Sequence, residues 1–336
     1  MKTLEHLAAI VMFAPCFVGI VQHASTNDGA HGSKLWALYQ PPAAPVMVAE
    51  PAFTSSTQNM VFWTAVATAT TYTVQCDDAP DFILPVATAD ESSPTLSHLF
   101  MSLSDGQTYW YRVRAQNASG LSAWSAATSS TQDASLPTVS MSSTVPYLTN
   151  LSAIPVTVTF SEPVMNLSGE DIVTSNSSAG GFNGSGTNYT FNLEPSGQGL
   201  VMADIPAGVA QDEAGNDNVA VASPVVRMFD SLGPRLTNVT AGNFITLEIT
   251  FHEPVSNADQ ASNYTCTGGV RVFEVLRLSD TRYLLTTSDQ IQGTTYTLTA
   301  LNAVTDRAGN PVDPAYCSRL FTGGILLGAR SWQLYR

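Results

Sequence analysis

The sequence predicts an all-β protein built as tandem Greek-key β-sandwiches behind an export signal. Three observations carry that prediction. From Pro41 onward the chain runs in short segments of roughly 4 to 9 residues, broken by clusters of Gly, Pro, Asn, Asp and Ser. Apolar alternation with period two is plain in Tyr109-Trp110-Tyr111-Arg112-Val113-Arg114, in Val156 to Phe160 and in Ile245 to Phe251, and no segment sustains a 3.6-residue period. The composition agrees: 71 of 336 residues are Ser or Thr, and the only lysines are Lys2 and Lys34, so good helix formers are scarce. Charged residues are 12% of the chain and the net charge is −14, which excludes a basic face for nucleic acid or an anionic membrane.

The elements follow in chain order. Residues 8 to 21 (AAIVMFAPCFVGIV) form an uncharged run behind Lys2. At 14 residues it is shorter than the roughly 20 that a membrane span needs, and it matches the apolar core of a secretory signal. The signal is assigned to residues 1–24 and a linker to 25–40. Localisation is expected to be secreted, extracellular or at the cell surface, with no membrane span in the mature chain. Proline-bearing junctions at Leu136-Pro137 and Gly233-Pro234 then divide the rest into 41–135, 136–232 and 233–323, with a tail at 324–336.

In the first piece, Trp63 lies on an early strand and Tyr72-Thr73-Val74-Gln75 on the next. The run from Leu103 to Ser125 (LSDGQTYWYRVRAQNASGLSAWS) follows. This pattern resembles a fibronectin type III domain. The resemblance implies that Trp63 is core and that Leu103, Gly106 and Tyr109 form a tyrosine corner. Trp110, Arg112, Arg114 and Trp124 would share the opposite sheet face. They resemble the arginine–tryptophan ladder of cytokine-receptor modules and could serve as a binding face or as a structural cation–π stack, the stack being preferred.

The second and third pieces repeat one another. VTVTFSEPV (Val156 to Val164) is answered by ITLEITFHEPV (Ile245 to Val255), and QDEAGNDN (Gln211 to Asn218) by TDRAGNPV (Thr305 to Val312). Each unit has an acidic residue before Pro at the end of an early strand and a later D-x-AGN turn. Glu162 and Asp212 are 50 residues apart, Glu253 and Asp306 are 53 apart, and ordered recurrence at matched spacing is a repeat signal. These units resemble the bacterial Ig-like domains of surface-layer proteins and adhesins.

For chemistry, only His98 and His252 fall inside the sandwich pieces, and neither sits near a nucleophile motif. The reading is therefore non-enzymatic, with no catalytic residues and no organic cofactor. In an Ig-like topology Glu162 would approach Asp212, and Glu253 would approach Asp306, at one end of each sandwich. Hard oxygen donors on loops suit calcium, while the D-x-AGN residues could equally do no more than tie their own turn. Cys266 and Cys317 fall in one domain of an exported chain and are expected to bridge, leaving Cys76 free.

The expected role is an extracellular modular protein for adhesion, surface display or spacing, with monomeric modules and an extracellular protein or polysaccharide as ligand. The alternative is a carbohydrate-binding accessory module, or a fragment of a larger secreted hydrolase, presenting Trp110, Trp124 or Trp332 as a sugar platform.

Overall fold

The computed structural model describes residues 40–324, so the export signal, Trp332 and nearly all of the tail lie outside the described residues. Within them there are 22 strands, three single-turn 3-10 segments and no α-helix. The chain falls into two compact units. One holds residues up to Glu50, Met60–Phe100 and Tyr109–Ser129; the other holds Pro51–Asn59, Met101–Thr108 and everything from Ser130 onward.

The first eight strands are β1 (Phe53–Thr54), β2 (Asn59–Phe62), β3 (Thr71–Asp77), β4 (Ala87–Ser92), β5 (Ser97–Phe100), β6 (Thr108–Asn117), β7 (Gly120–Leu121) and β8 (Thr128–Gln132). In the first unit β3 is central, pairing antiparallel with β4 and with β6, and β7 closes a hairpin on β6. The period-two pattern works as read: Tyr72, Val74 and Cys76 on β3, and Tyr109, Tyr111, Val113 and Ala115 on β6, are all buried. Trp63 is buried and tilts against Tyr72, centroids 5.7 Å apart, and the Tyr72 hydroxyl accepts the Val66 N–H at 2.9 Å. In the second unit β1 lies parallel to the end of β8, Phe53 opposite Thr131, and Thr54 and Ser130 share a 2.7 Å hydroxyl contact.

The rest of the second unit holds two sandwiches. The first has β9 (Val139–Ser142), β10 (Leu148–Thr149), β11 (Ile154–Val164), β12 (Val173–Ser175), β13 (Ser177–Pro195), β14 (Gly199–Asp204) and β15 (Val225–Phe229). Its sheets run β13-β11-β9 and β10-β15-β14-β12. Alternate residues Ile154, Val156, Val158 and Phe160 of β11 enter a core with Tyr189, Phe191, Leu193, Val201 and Ala203.

The second sandwich has β16 (Leu236–Asn243), β17 (Thr246–Phe251), β18 (Tyr264–Cys266), β19 (Val272–Arg277), β20 (Arg282–Thr287), β21 (Thr295–Ala300) and β22 (Ser318–Thr322). Its sheets run β16-β17-β20-β19 and β18-β21-β22, the four-plus-three division of a constant-type immunoglobulin sandwich. Leu247, Ile249 and Phe251 from β17 meet Tyr283, Leu285, Tyr296 and Leu298 in its core. Each sandwich buries a dozen or more large apolar side chains. At about 1.5–3 kcal/mol apiece, that burial is what opposes the ordering entropy of a chain so poor in helix formers.

One expectation is corrected here. Cys266 and Cys317 are both free thiols. Cys266 stands opposite Leu298 on β21, whereas the Cys317 carbonyl accepts the N–H of Ala300 on that same strand. β21 therefore runs between them. With strands about 4.8 Å apart and a two-residue offset, their Cα atoms are on the order of 10 Å apart, past the roughly 7 Å that a bridge tolerates. The Cys317 thiol donates instead to the Pro314 carbonyl at 3.3 Å.

Candidate functional site

Two small constellations at corresponding places in the two sandwiches carry the chemistry. In each, the strand that ends in Glu-Pro is tied to the D-x-AGN turn by a two-way backbone bridge. Met165 and Gln211 exchange N–H···O bonds of 2.7 and 3.1 Å, and Ser256 and Thr305 do so at 2.7 and 3.3 Å. That bridge explains why residues 50 or so apart meet. The β11 register slips between Thr159 and Val164, so Glu162 lies in an irregular stretch beside Pro163, which has no N–H to give a ladder.

The turn is organised from within. Asp212 takes the Asn216 N–H on Oδ1 at 2.9 Å and the Asn216 side-chain amide on Oδ2 at 2.9 Å. Asp306 takes the same two bonds from Asn310 at 2.8 Å each. Gly215 and Gly309 sit at φ of 89° and 92°, a conformation that L side chains avoid, which is why AGN recurs. Both aspartates are only 3% exposed.

The amide of each asparagine does a second job. Asn216 Nδ2 donates to the Asp133 carbonyl at 2.9 Å, and Asn310 Nδ2 donates to the Asp230 carbonyl at 2.8 Å. This draws the segment before each sandwich onto the turn and adds a third carboxylate. Asp133, Glu162 and Asp212 form one triad, and Asp230, Glu253 and Asp306 form the other. In each, one oxygen per residue lies within 4.8 Å of the others.

The structure thus brings together both predicted pairs and adds Asp133 and Asp230, which the sequence reading missed. A signal was available: both stand four residues before a junction proline, in DASLP and DSLGP.

Three carboxylates this close oppose one another. At an effective dielectric near 20, two unit charges about 5 Å apart repel by about 3 kcal/mol. Burial first, then Asp133, Asp212 and Asp105, push Glu162 above its ordinary range. Burial also pushes Glu253 up, with Asp306 and Asp230 adding to it and His252 and Arg235 pulling the other way.

The two triads differ in that last respect. His252 Nδ1 accepts the Arg235 N–H at 2.9 Å, which leaves Nε2 to carry the proton toward Glu253 Oε1 at 3.2 Å. The donor set of each triad is all oxygen, of the hard type that calcium and not zinc prefers. These three side chains are the ones that would hold a calcium ion.

The arginine–tryptophan group is also assembled, on the outer face of the first unit. The Arg112 guanidinium lies 4.1 Å from the Phe82 ring centre and 4.3 Å from that of Trp124, and Arg114 stacks on Trp124 at 4.5 Å. Arg112 also donates through Nε and Nη2 to Gln75 Oε1 at 2.9 and 2.7 Å. Trp110, Arg112, Arg114 and Trp124 are all half-buried, so neither tryptophan ring is laid open.

Residues 133–227 match the family of bacterial Ig-like domains. Among solved structures, one described as FN3tt mut is 21% identical and covers 27% of this chain and 97% of its own, with a TM-score of 0.22. The Escherichia coli adhesin FdeC is 12% identical over 83% of this chain and 96% of its own, with a TM-score of 0.38. Invasin, a bacterial integrin-binding protein, is 12% identical over 84% of this chain and 60% of its own, with a TM-score of 0.31. No curated protein matches the chain. No helix among the described residues is long and apolar enough to cross a membrane.

Proposed function

We propose that the chain is a non-enzymatic extracellular protein of the adhesion, surface-display or spacer type, and that calcium braces it at the entry to each Ig-like sandwich. The single observation that supports this is the recurrence of one carboxylate triad at two corresponding places, each joining a preceding segment to a D-x-AGN turn. A turn that only ties itself needs Asp and Asn. It does not need a second and a third acidic group gathered from 50 or more residues away in both copies. An ion taking those oxygens would cancel their repulsion and cross-link the segment, the Glu-Pro strand end and the turn, which is what a mechanical or display module requires of its joints.

The experiment is calorimetry of the full chain in about 1 mM CaCl₂ and in excess EDTA, since an ion present at 100 times its Kd stabilises by about 2.7 kcal/mol per site. The expected result is an upward shift with calcium that disappears in Asp133→Asn/Asp230→Asn, a pair chosen to leave the turn's own bonds in place. Superposable curves, or a shift that survives the paired change, would overturn the calcium reading.

A further inference from the structure

Three segments of the last sandwich close around a small polar pocket of about 290 Å³. The first is the stretch after β17, residues 254–259. The second is the D-x-AGN turn, which the Ser256–Thr305 bridge holds alongside and which contributes Arg307. The third is the tip of the β19–β20 hairpin, fixed there because the Asp280 carbonyl accepts the Val255 N–H at 3.1 Å.

Two guanidiniums meet one carboxylate in this pocket. Arg277 Nη2 donates to Asp280 Oδ1, and Arg307 Nη2 donates to Asp280 Oδ2 at 2.6 Å. Arg277 also gives Nε to the Ser279 carbonyl at 3.4 Å, which leaves its Nη1. Among the described residues Arg307 makes no other hydrogen bond, so its Nε and Nη1 remain to donate. Arg227 is the contrast, since its Nε, Nη1 and Nη2 go to the carbonyls of Val145, Val226 and Ser143. Asp280 therefore orients both pocket arginines without using up their N–H groups, in a chain whose net charge is −14.

The first Ig-like sandwich carries different residues at the same places. Its run Glu162-Pro163-Val164-Met165-Asn166-Leu167 aligns without a gap on Glu253-Pro254-Val255-Ser256-Asn257-Ala258, and Asn166 and Asn257 both turn the backbone, at φ of 70° and 58°. Met165 thus stands where the last sandwich has Ser256, Leu167 where it has Ala258, and Glu213 where it has Arg307. Two of these differences remove bulk and the third reverses a charge, all at residues that line the pocket. The stability of the turn needs none of them, because the Asp–Asn bonds are the same in both copies.

The donor and acceptor set defines a ligand. Free guanidinium edges take a carboxylate through charge-assisted bonds. Asn257 spends its Nδ2 on the Ala303 carbonyl at 3.2 Å, which leaves its Oδ1, with the Ser256 hydroxyl and the exposed Asp259 carboxylate, to accept from hydroxyl groups. Asp259 and Asp280 both oppose a small dianion such as sulfate. We propose that this pocket binds a carboxylate-bearing sugar, a hexuronate unit of an acidic polysaccharide. Arg277 and Arg307 take the carboxylate, and Ser256, Asn257 and Asp259 take the hydroxyls. The site lies outside the carboxylate triads and does not rest on the calcium reading.

The test is affinity electrophoresis of the full chain in EDTA, so that calcium cannot bridge two acidic partners, in gels holding polygalacturonate, polyglutamate or neutral dextran. Retardation by polygalacturonate alone is expected, released by free galacturonate and not by galactose or sulfate. Arg277→Gln and Arg307→Gln should each weaken binding at least about tenfold, whereas Arg271→Gln, which removes the same charge from an exposed site of the same sandwich, should leave it within about twofold. Ser256→Met, which supplies the first repeat's residue and changes no charge, should block binding as well, and unchanged calorimetric transitions will show that the variants are folded. No retardation, equal retardation by polyglutamate, release by sulfate, or equal effects of Arg271→Gln and Arg307→Gln would overturn the assignment.

Discussion

Asn310→Ala isolates the device on which both joints depend. The Asn310 side chain is 93% removed from solvent, being 7% exposed. Its amide donates to Asp306 Oδ2 and to the Asp230 carbonyl at 2.8 Å each, and its own oxygen accepts from Asn150 at 3.1 Å. The bond to the carboxylate belongs to the charged class, worth about 1.5–3 kcal/mol, and the bond to the carbonyl is worth about 0.5–1.5 kcal/mol. Alanine leaves a 3% exposed carboxylate with one donor fewer and nothing of comparable size to replace it. The expected loss is therefore about 2–4 kcal/mol from the last sandwich. For a domain of about 90 residues, at about 4–8 °C per kcal/mol, that is a fall in Tm of about eight degrees or more. Calorimetry in EDTA reads it, the last sandwich having a core of its own whose unfolding the change should bring to lower temperature. Asn216→Ala should lower the transition of the other Ig-like sandwich by a similar amount through its two matching bonds. A loss under about 0.5 kcal/mol in either variant would refute the claim that these amides hold the joints.

Three further outcomes are expected. In EDTA, stability should increase as pH falls from about 7 toward the ordinary carboxylate range near 4.5: Glu162 and Glu253 titrate above their unfolded values, so the folded state holds more protons in that window, and a Tm that only falls on acidification would contradict this. Trp124→Ala should destabilise the first unit by about 2–3 kcal/mol, because the ring lies under two guanidiniums and is half-buried, and a change within about 0.5 kcal/mol by calorimetry would remove the structural role of the stack. Cys317 should be alkylated without prior reduction and Cys266 more slowly, since burial pushes its thiol up to about 11, whereas Cys76 should resist until the chain unfolds, since burial together with Asp77 and Asp78 pushes its thiol up to about 12; a Cys266–Cys317 peptide in a non-reducing digest would refute the strand order.

The parts of this structure that were legible in the sequence are those written in local chemistry. Alternation in Val156 to Phe160 and in Ile245 to Phe251 marks buried strand faces because side chains on a strand point to opposite sides. D-x-AGN marks a turn because Asp, Gly and Asn satisfy it from within five residues. Repetition of both motifs at matched spacing made Glu162 with Asp212, and Glu253 with Asp306, readable as pairs. Asp133 and Asp230 escaped because no property of their own neighbours sends them to the turn; the asparagine amide that fetches each of them is 80 or more residues further along the chain. The cysteines misled for a related reason. Cys266 and Cys317 share a sheet, but the order of strands within it is set by which long-range pairings fill the core, and β21 runs between them.

By itself, then, the sequence determined the fold class, the repeat, the turn chemistry and the acidity of the joints, all of which depend on residue type and short-range spacing. Only the tertiary structure decided which carboxylates share a site and which thiols stay apart. Those are properties of partner choice between distant segments, and partner choice follows from packing a whole core rather than from any one stretch of the chain.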